Sequence, residues 1–187
     1  MEMMEGVGRR LGKRGGTLLN IGNGSLNGRE NNVLFRNNGD GRFTEVGYVN
    51  GVDRIEDGRG MAIFDYDQDG RLDIALRNFY MPATVLRNRG DAAHWVRFDL
   101  VGTNSNRDAI GARLRLRVGD RWQTRIVNAG SGYVSSSSKR QHFGLGSAAR
   151  VDEVEIEWPS GERTILRDLA ADQAYQVTEG RALADSR

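Results

Sequence analysis

Four aspartates crowd the stretch DYDQDGRLD, Asp65 to Asp73. Asp65, Asp67 and Asp69 take positions 1, 3 and 5 of a loop, Gly70 takes 6 and Asp73 takes 9. Calcium is a hard cation that gathers roughly six to eight oxygens at about 2.3–2.6 Å. Carboxylates at alternate positions of a tight loop can all turn inward, and glycine permits the sharp bend. The backbone carbonyl of Arg71, at position 7, can add a ligand. Without a cation, four carboxylates at this spacing repel one another. A bare, solvated Asp/Gly turn explains the glycine but not the length of the pattern. The predicted metal residues are therefore Asp65, Asp67, Asp69, Arg71 and Asp73, with Ca2+ as the ion.

The flanks decide what kind of loop this is. An EF-hand needs a bidentate Glu at position 12 and a helix on either side. Position 12 is Leu76. GMAIF (Gly60 to Phe64) and DIAL (Asp73 to Leu76) both read as strands, so the loop joins the arms of a β-hairpin. Elsewhere the apolar residues also alternate. ARLRLRV (Ala112 to Val118) interleaves apolar residues with Arg, and VEIEW (Val154 to Trp158) interleaves them with Glu. Such alternation marks half-buried strands. Glu153, Glu155 and Glu157 then form the wet face of one strand. Only LRDLAADQAY, Leu166 to Tyr175, carries a pattern able to hold a helical turn. The class is all-β.

An internal repeat organises the first half. VLFRNNGD (Val33 to Asp40) matches TVLRNRGD (Thr84 to Asp91), 51 residues later. TLLNIGN (Thr17 to Asn23) echoes IALRNFY (Ile74 to Tyr80). Periods near 50 suggest stacked β units such as propeller blades. The repeat stops at His94, and a domain boundary is expected near Ala92 with no flexible linker. Residues 1–15 read as a disordered start, 16–92 as the repeat segment, 93–180 as a second domain and 181–187 as a tail.

Bulk properties narrow the function. The net charge is +2, too small to argue for nucleic acid. The basic cluster Arg9, Arg10, Lys13 and Arg14 reads as a solvated start. There is no cysteine, which removes disulfides, thiolate zinc sites and a cysteine nucleophile. No apolar run approaches a membrane span. The first fifteen residues lack the apolar middle of a signal peptide, so the expectation is a cytoplasmic chain or a true start upstream of Met1. No serine elbow, P-loop, zinc-protease motif or dinucleotide fingerprint occurs.

Beyond the acidic loop, VLFRNNGDGRFTEV followed by GRGMAIFDYDQDGRLDIALRN resembles an FG-GAP repeat, also called VCBS. This is the blade of integrin-α-like propellers. HWVRFDLVGTNSNRDAIGARLRLRVG, GSGYVSSSSKRQHFGLG and VDEVEIEWPSGERTIL resemble the ASPIC/UnbV domain. The resemblance implies a partial β-propeller, about one blade plus flanking strands, packed on a C-terminal antiparallel β-sandwich-like domain. It implies calcium on Asp65, Asp67, Asp69, Asp73 and the Arg71 carbonyl. It also implies an exported, noncatalytic protein for adhesion, scaffolding or ligand binding. A closed propeller needs several blades. The expectation is thus the C-terminal part of a larger exported protein, or a start codon placed too late. An open blade edge invites self-association.

Other features have plainer readings. Arg89-Gly90-Asp91 spells an integrin-recognised tripeptide but falls where the first repeat copy has Asn38-Gly39-Asp40, so a turn accounts for it. His142 reads as a hydrogen-bonded structural histidine. The Ser135 to Ser138 run reads as a surface loop, and NSNRD (Asn104 to Asp108) as a polar turn. The alternative function is a glycan-acting enzyme with its site in the loops Gly102–Gly111 and Gly130–Gln141. The protein or carbohydrate ligand is not specified by the sequence.

Overall fold

The computed structural model describes residues 30–181 and residue 183. The basic cluster at Arg9–Arg14, the echo at Thr17–Asn23 and most of the expected tail lie outside these residues. Among the described residues there are strands and turns but no helix. The strands are β1 (Phe35–Asn37), β2 (Phe43–Glu45), β3 (Gly58–Phe64), β4 (Asp73–Asn78), β5 (Thr84–Leu86) and β6 (His94–Val101). Then come β7 (Arg113–Val118), β8 (Arg121–Ile126), β9 (Gln141–Gly146), β10 (Arg150–Glu157), β11 (Arg163–Ala170) and β12 (Gln173–Thr178).

The chain divides into two compact units. One holds Met1–Gly60 with Leu76–Thr84, and the other holds Met61–Ala75 with Val85–Arg187. In the first, β1 and β2 form an antiparallel ribbon with Phe35 opposite Glu45 and Asn37 opposite Phe43. Directly opposed residues share a face, so Phe35 and Phe43 lie on one side of the ribbon, and both are exposed. A three-stranded sheet has the order β3-β4-β5, and its acidic-loop end, within Met61–Ala75, belongs to the second unit.

The second unit carries the core. One sheet has the order β11-β10-β7-β8, all antiparallel, and another has the order β12-β6-β9. In the latter β9 runs antiparallel to β6 and β12 runs parallel to it. The alternation seen in sequence buries Leu114 and Leu116 from β7, Val154 and Ile156 from β10, Val96 and Phe98 from β6, and Phe143 from β9 in one cluster. The opposite face of β7 and β10 is a charge ladder. Arg113 pairs with Glu157, and Arg115 meets Glu155 at 3.1 Å. The Glu alternation is thus an ion-paired outer face.

The segment Leu166 to Tyr175 is not helical. It is the end of β11, a turn and the start of β12. The helix-like spacing has a local cause. Leu166 and Leu169, three apart, are both buried because the strand alternation slips at Asp168, whose φ is 55°. A slip in a strand and one turn of a helix leave the same i, i+3 trace in sequence.

Candidate metal centre

The acidic loop connects β3 to β4 as a hairpin connection, with strands on both sides. Gln68 (φ 60°) and Gly70 (φ 82°) supply the left-handed residues that close it. Gly70 is required twice over, because a Cβ there would also overlap the indole ring of Trp95. The loop lies wholly in the second unit.

Asp65, Asp67 and Asp73 each place one carboxylate oxygen within 4.8 Å of the others. Asp73 is 1% exposed, and the Asp65 side chain is 4% exposed. Backbone amides orient both. Asp65 accepts from Asp69 N–H and Gly70 N–H, each at 3.1 Å. Asp73 accepts from Tyr66 N–H at 2.9 Å and Asn88 N–H at 2.7 Å. Asp67 pairs with Arg87.

Asp69 stands apart from this triad. Its Oδ1 accepts Arg71 N–H at 2.9 Å, and its Oδ2 accepts the Arg71 guanidinium at 2.6 Å. The Arg71 backbone N–H, acting with the guanidinium and against burial, holds the Asp69 carboxyl below the usual carboxylate range. Arg71, whose carbonyl the sequence offers as a ligand, thus directs both its N–H and its side chain at Asp69.

The donor set suits a hard cation. It is all oxygen, and two of its three carboxylates are buried. The nearest cation to Asp65 is Arg97 at 3.9 Å, beyond hydrogen bonding. Asp73 is held by amide dipoles alone among the contacts above. Buried carboxylates so close together carry desolvation and mutual repulsion that a divalent ion would relieve. Oxygen-only sets favour calcium, magnesium or manganese over zinc or copper. Asp65, Asp67 and Asp73 can therefore hold a metal ion.

Several partners of the loop were not legible as such. Arg87 and Asn88 belong to the second repeat copy, and here they clamp Asp67 and Asp73. The repeat itself is a recurring turn. Asn37 Oδ1 accepts Gly39 N–H at 2.8 Å, and Asn88 Oδ1 accepts Gly90 N–H at 2.9 Å. The Arg89-Gly90-Asp91 tripeptide sits in the second of these turns. Trp95, on β6, seats the loop at Gly70 and stacks on His142 of β9, with centroids 5.8 Å apart and planes 14° from parallel. The expected hydrogen bond is absent at His142 Nδ1, which is buried with no partner; the ring stacks on Trp95 instead. Burial lowers the His142 pKa despite the nearby Asp65 charge.

The polar loop Gly102–Gly111 wraps a carboxylate that sequence reading missed. Glu179 is 1% exposed. Its Oε2 accepts the consecutive N–H groups of Thr103, Asn104 and Ser105 at 2.7, 2.9 and 2.7 Å. Its Oε1 accepts the Ser105 and Ser160 hydroxyls at 2.7 and 2.6 Å. Burial pushes this carboxyl up, but the Ser105 N–H, the two hydroxyls and the Thr103 N–H outweigh it and hold the pKa at about 2. Glu179 is a fixed anion that pins a loop. The run of turn-forming residues at Asn104–Asp108 was a signal for a tight loop, but nothing nearby in sequence named its anchor.

Comparison with known proteins agrees with these features. Residues 18–76 match an FG-GAP-like repeat, and residues 102–184 match the ASPIC and UnbV domain. The chain pairs an FG-GAP-like repeat with an ASPIC and UnbV domain. Cartilage acidic protein 1 from Mus musculus is 30% identical over 152 residues, covering 79% of this chain and 23% of the mouse protein. The Homo sapiens protein is also 30% identical over 152 residues, with 22% of its length covered. The Xenopus tropicalis protein is 31% identical over 167 residues, or 80% of this chain and 25% of that protein. The chain thus spans about a quarter of the length of the curated relatives it matches. No helix among the described residues is long and apolar enough to cross a membrane.

Proposed function

We propose that this chain is a noncatalytic, calcium-binding β module used for adhesion, scaffolding or ligand binding outside the cytoplasm. The carrying observation is the triad of Asp65, Asp67 and Asp73, within 4.8 Å of one another on a hairpin with two of the three carboxylates buried. The FG-GAP-like match over the same loop supports calcium as the ion. Asp65, Asp67 and Asp73 would hold it. Asp69 and the Arg71 carbonyl complete the set in this reading, with the Asp69–Arg71 pair opening to release them. The ion supplies the positive charge that the carboxylates lack. The chain's own residues do the rest. Amides of the loop orient Asp65 and Asp73, Asn88 N–H fixes Asp73, and Trp95 shields the floor at Gly70. The result is a rigid hairpin whose order is coupled to metal.

The glycan-acting alternative needs a carboxyl kept protonated near neutral pH to serve as general acid. In the loops that this alternative uses, Lys139 holds the Asp108 carboxyl below its ordinary value, and, against burial, hydrogen bonds from Ser105, Ser160 and Thr103 hold that of Glu179 low. This favours the binding module. Calcium titration followed by calorimetry tests the reading: one saturable site that Asp73→Asn abolishes is expected, and absence of saturable binding would overturn it.

A further inference from the structure

A cavity of about 390 Å3 lies beside the acidic loop, within the second unit. Phe64 and Ala62 contribute apolar lining, and Ser136–Ser138, Asp65, Arg97 and Arg140 complete it. The serine run is not a loose surface loop. Ser137 Oγ accepts Ile63 N–H at 3.2 Å, and Ser138 N–H donates to Ile63 carbonyl at 3.4 Å. The run is thereby tied to β3. The turn that precedes it is strained, since Val134 adopts φ 46°, an outlier for a β-branched residue. It is braced by Ser135 Oγ donating to Ser131 carbonyl at 2.9 Å. Strain held in place by its surroundings gathers at functional sites.

Arg97 is only partly accounted for: its guanidinium carbon lies 6.0 Å from the Trp95 ring centroid. Its side chain is 12% exposed, and its ion pair with Asp65 is 3.9 Å long, too long for a hydrogen bond. Its Nε is buried with no hydrogen-bond partner. A guanidinium out of water needs acceptors, and its fork matches a carboxylate or sulfate. The other cations nearby are already matched. Arg140 meets Asp99 at 3.1 Å, and Lys139 pairs with Asp108. A second cavity of about 380 Å3 shares Ser137, Ser138 and Arg140 with the first, so a ligand has room to continue along the trough.

The geometry points to an oxyanion-binding site in which Arg97, aided by Arg140 and the Ser136–Ser138 segment, takes a carboxylate or sulfate group of a polar ligand. This site rests on the reading of the chain as a binding module and names the ligand chemistry, but it does not require calcium. The test uses the full chain labelled with 15N. Acetate and methyl sulfate are titrated at constant ionic strength, with neutral glucose as control, in calcium and again in chelator. Saturable shifts of the Arg97 Nε–Hε signal and of the Ser137 and Ser138 amides are expected with one or both anions and not with glucose. Saturation by acetate alone assigns a carboxylate, and by methyl sulfate alone a sulfate. Arg97→Lys should weaken binding at least tenfold. Arg140→Gln, at an exposed position that leaves the fold intact, should weaken it several-fold. Shifts that grow linearly without saturation, or affinities equal in wild type and both variants, would overturn the site. The calcium-dependent melting shift is read on the same samples, so failure of the oxyanion site and failure of the calcium reading are separate results.

Discussion

Asp73 and Glu179 are both buried carboxylates, and their surroundings give them different work. Glu179 is saturated by three amides and two hydroxyls, so it needs no cation. Asp73 has two amides and two carboxylate neighbours, so a cation is the partner we propose for it. Replacing Glu179 with Gln removes the charge and leaves one oxygen for the three amides and two hydroxyls that the carboxylate accepts. We expect a loss of at least about 2 kcal/mol at pH 7, measured by urea unfolding. The pH dependence follows from the lowered pKa. The folded carboxyl titrates at about 2 and the unfolded one near its ordinary value of 4.5. Its stabilisation is present in full above the unfolded value and is lost as pH falls through about 2. The gap between wild type and Glu179→Gln should therefore narrow from pH 4.5 downward. A gap that stays constant would contradict the account. Asp73→Ala strands the Tyr66 and Asn88 amides and should destabilise even without metal, by about 2 kcal/mol. Asp67→Ala removes a partly exposed ion pair and should cost little without metal.

The hairpin and its seat belong to the scale of elements. Alternation of apolar and charged residues made β7 and β10 legible, because each buries one face only; β3 and β4 were read instead from the short apolar stretches that flank the acidic loop. The Asp spacing made Asp65, Asp67 and Asp73 legible as neighbours in a loop closed by Gln68 and Gly70, but it did not show that Asp69, at the intervening odd position, turns to Arg71 instead. What stayed hidden depends on contacts distant in sequence. Trp95 gave no local sign that it would meet Gly70. Glu179 lies 74 residues or more from the loop it anchors. The strand at Leu166–Ala170 was obscured by one left-handed residue at Asp168. Gly70→Ala tests the seat. The added methyl meets Trp95, and the φ of 82° penalises any side chain. A loss of about 1–3 kcal/mol is expected from overpacking alone, with altered Trp fluorescence. An unchanged melting temperature would show that the loop does not rest on Trp95.

At the scale of the whole molecule, the first unit leaves apolar side chains uncovered. Val33, Phe35, Phe43, Tyr48 and Val49 are each more than half exposed. Among the described residues of this unit, exposed aromatics on the short strands β1 and β2 favour pairing with another chain. Concentration-dependent self-association is expected by sedimentation velocity. A chain that sediments as a monomer at every concentration would contradict it.

The central claim is that a cation completes the triad and is coupled to folding, and thermal unfolding with calcium and with chelator tests it most directly. A ligand present at about a hundred times its dissociation constant stabilises by about 2.7 kcal/mol. At about 2–4 °C per kcal/mol for a chain of this size, Tm should rise by about 5–10 °C in calcium. Asp67→Ala should melt near the chelated wild type and show no rise. Equal melting of the wild type in calcium and in chelator would contradict the account.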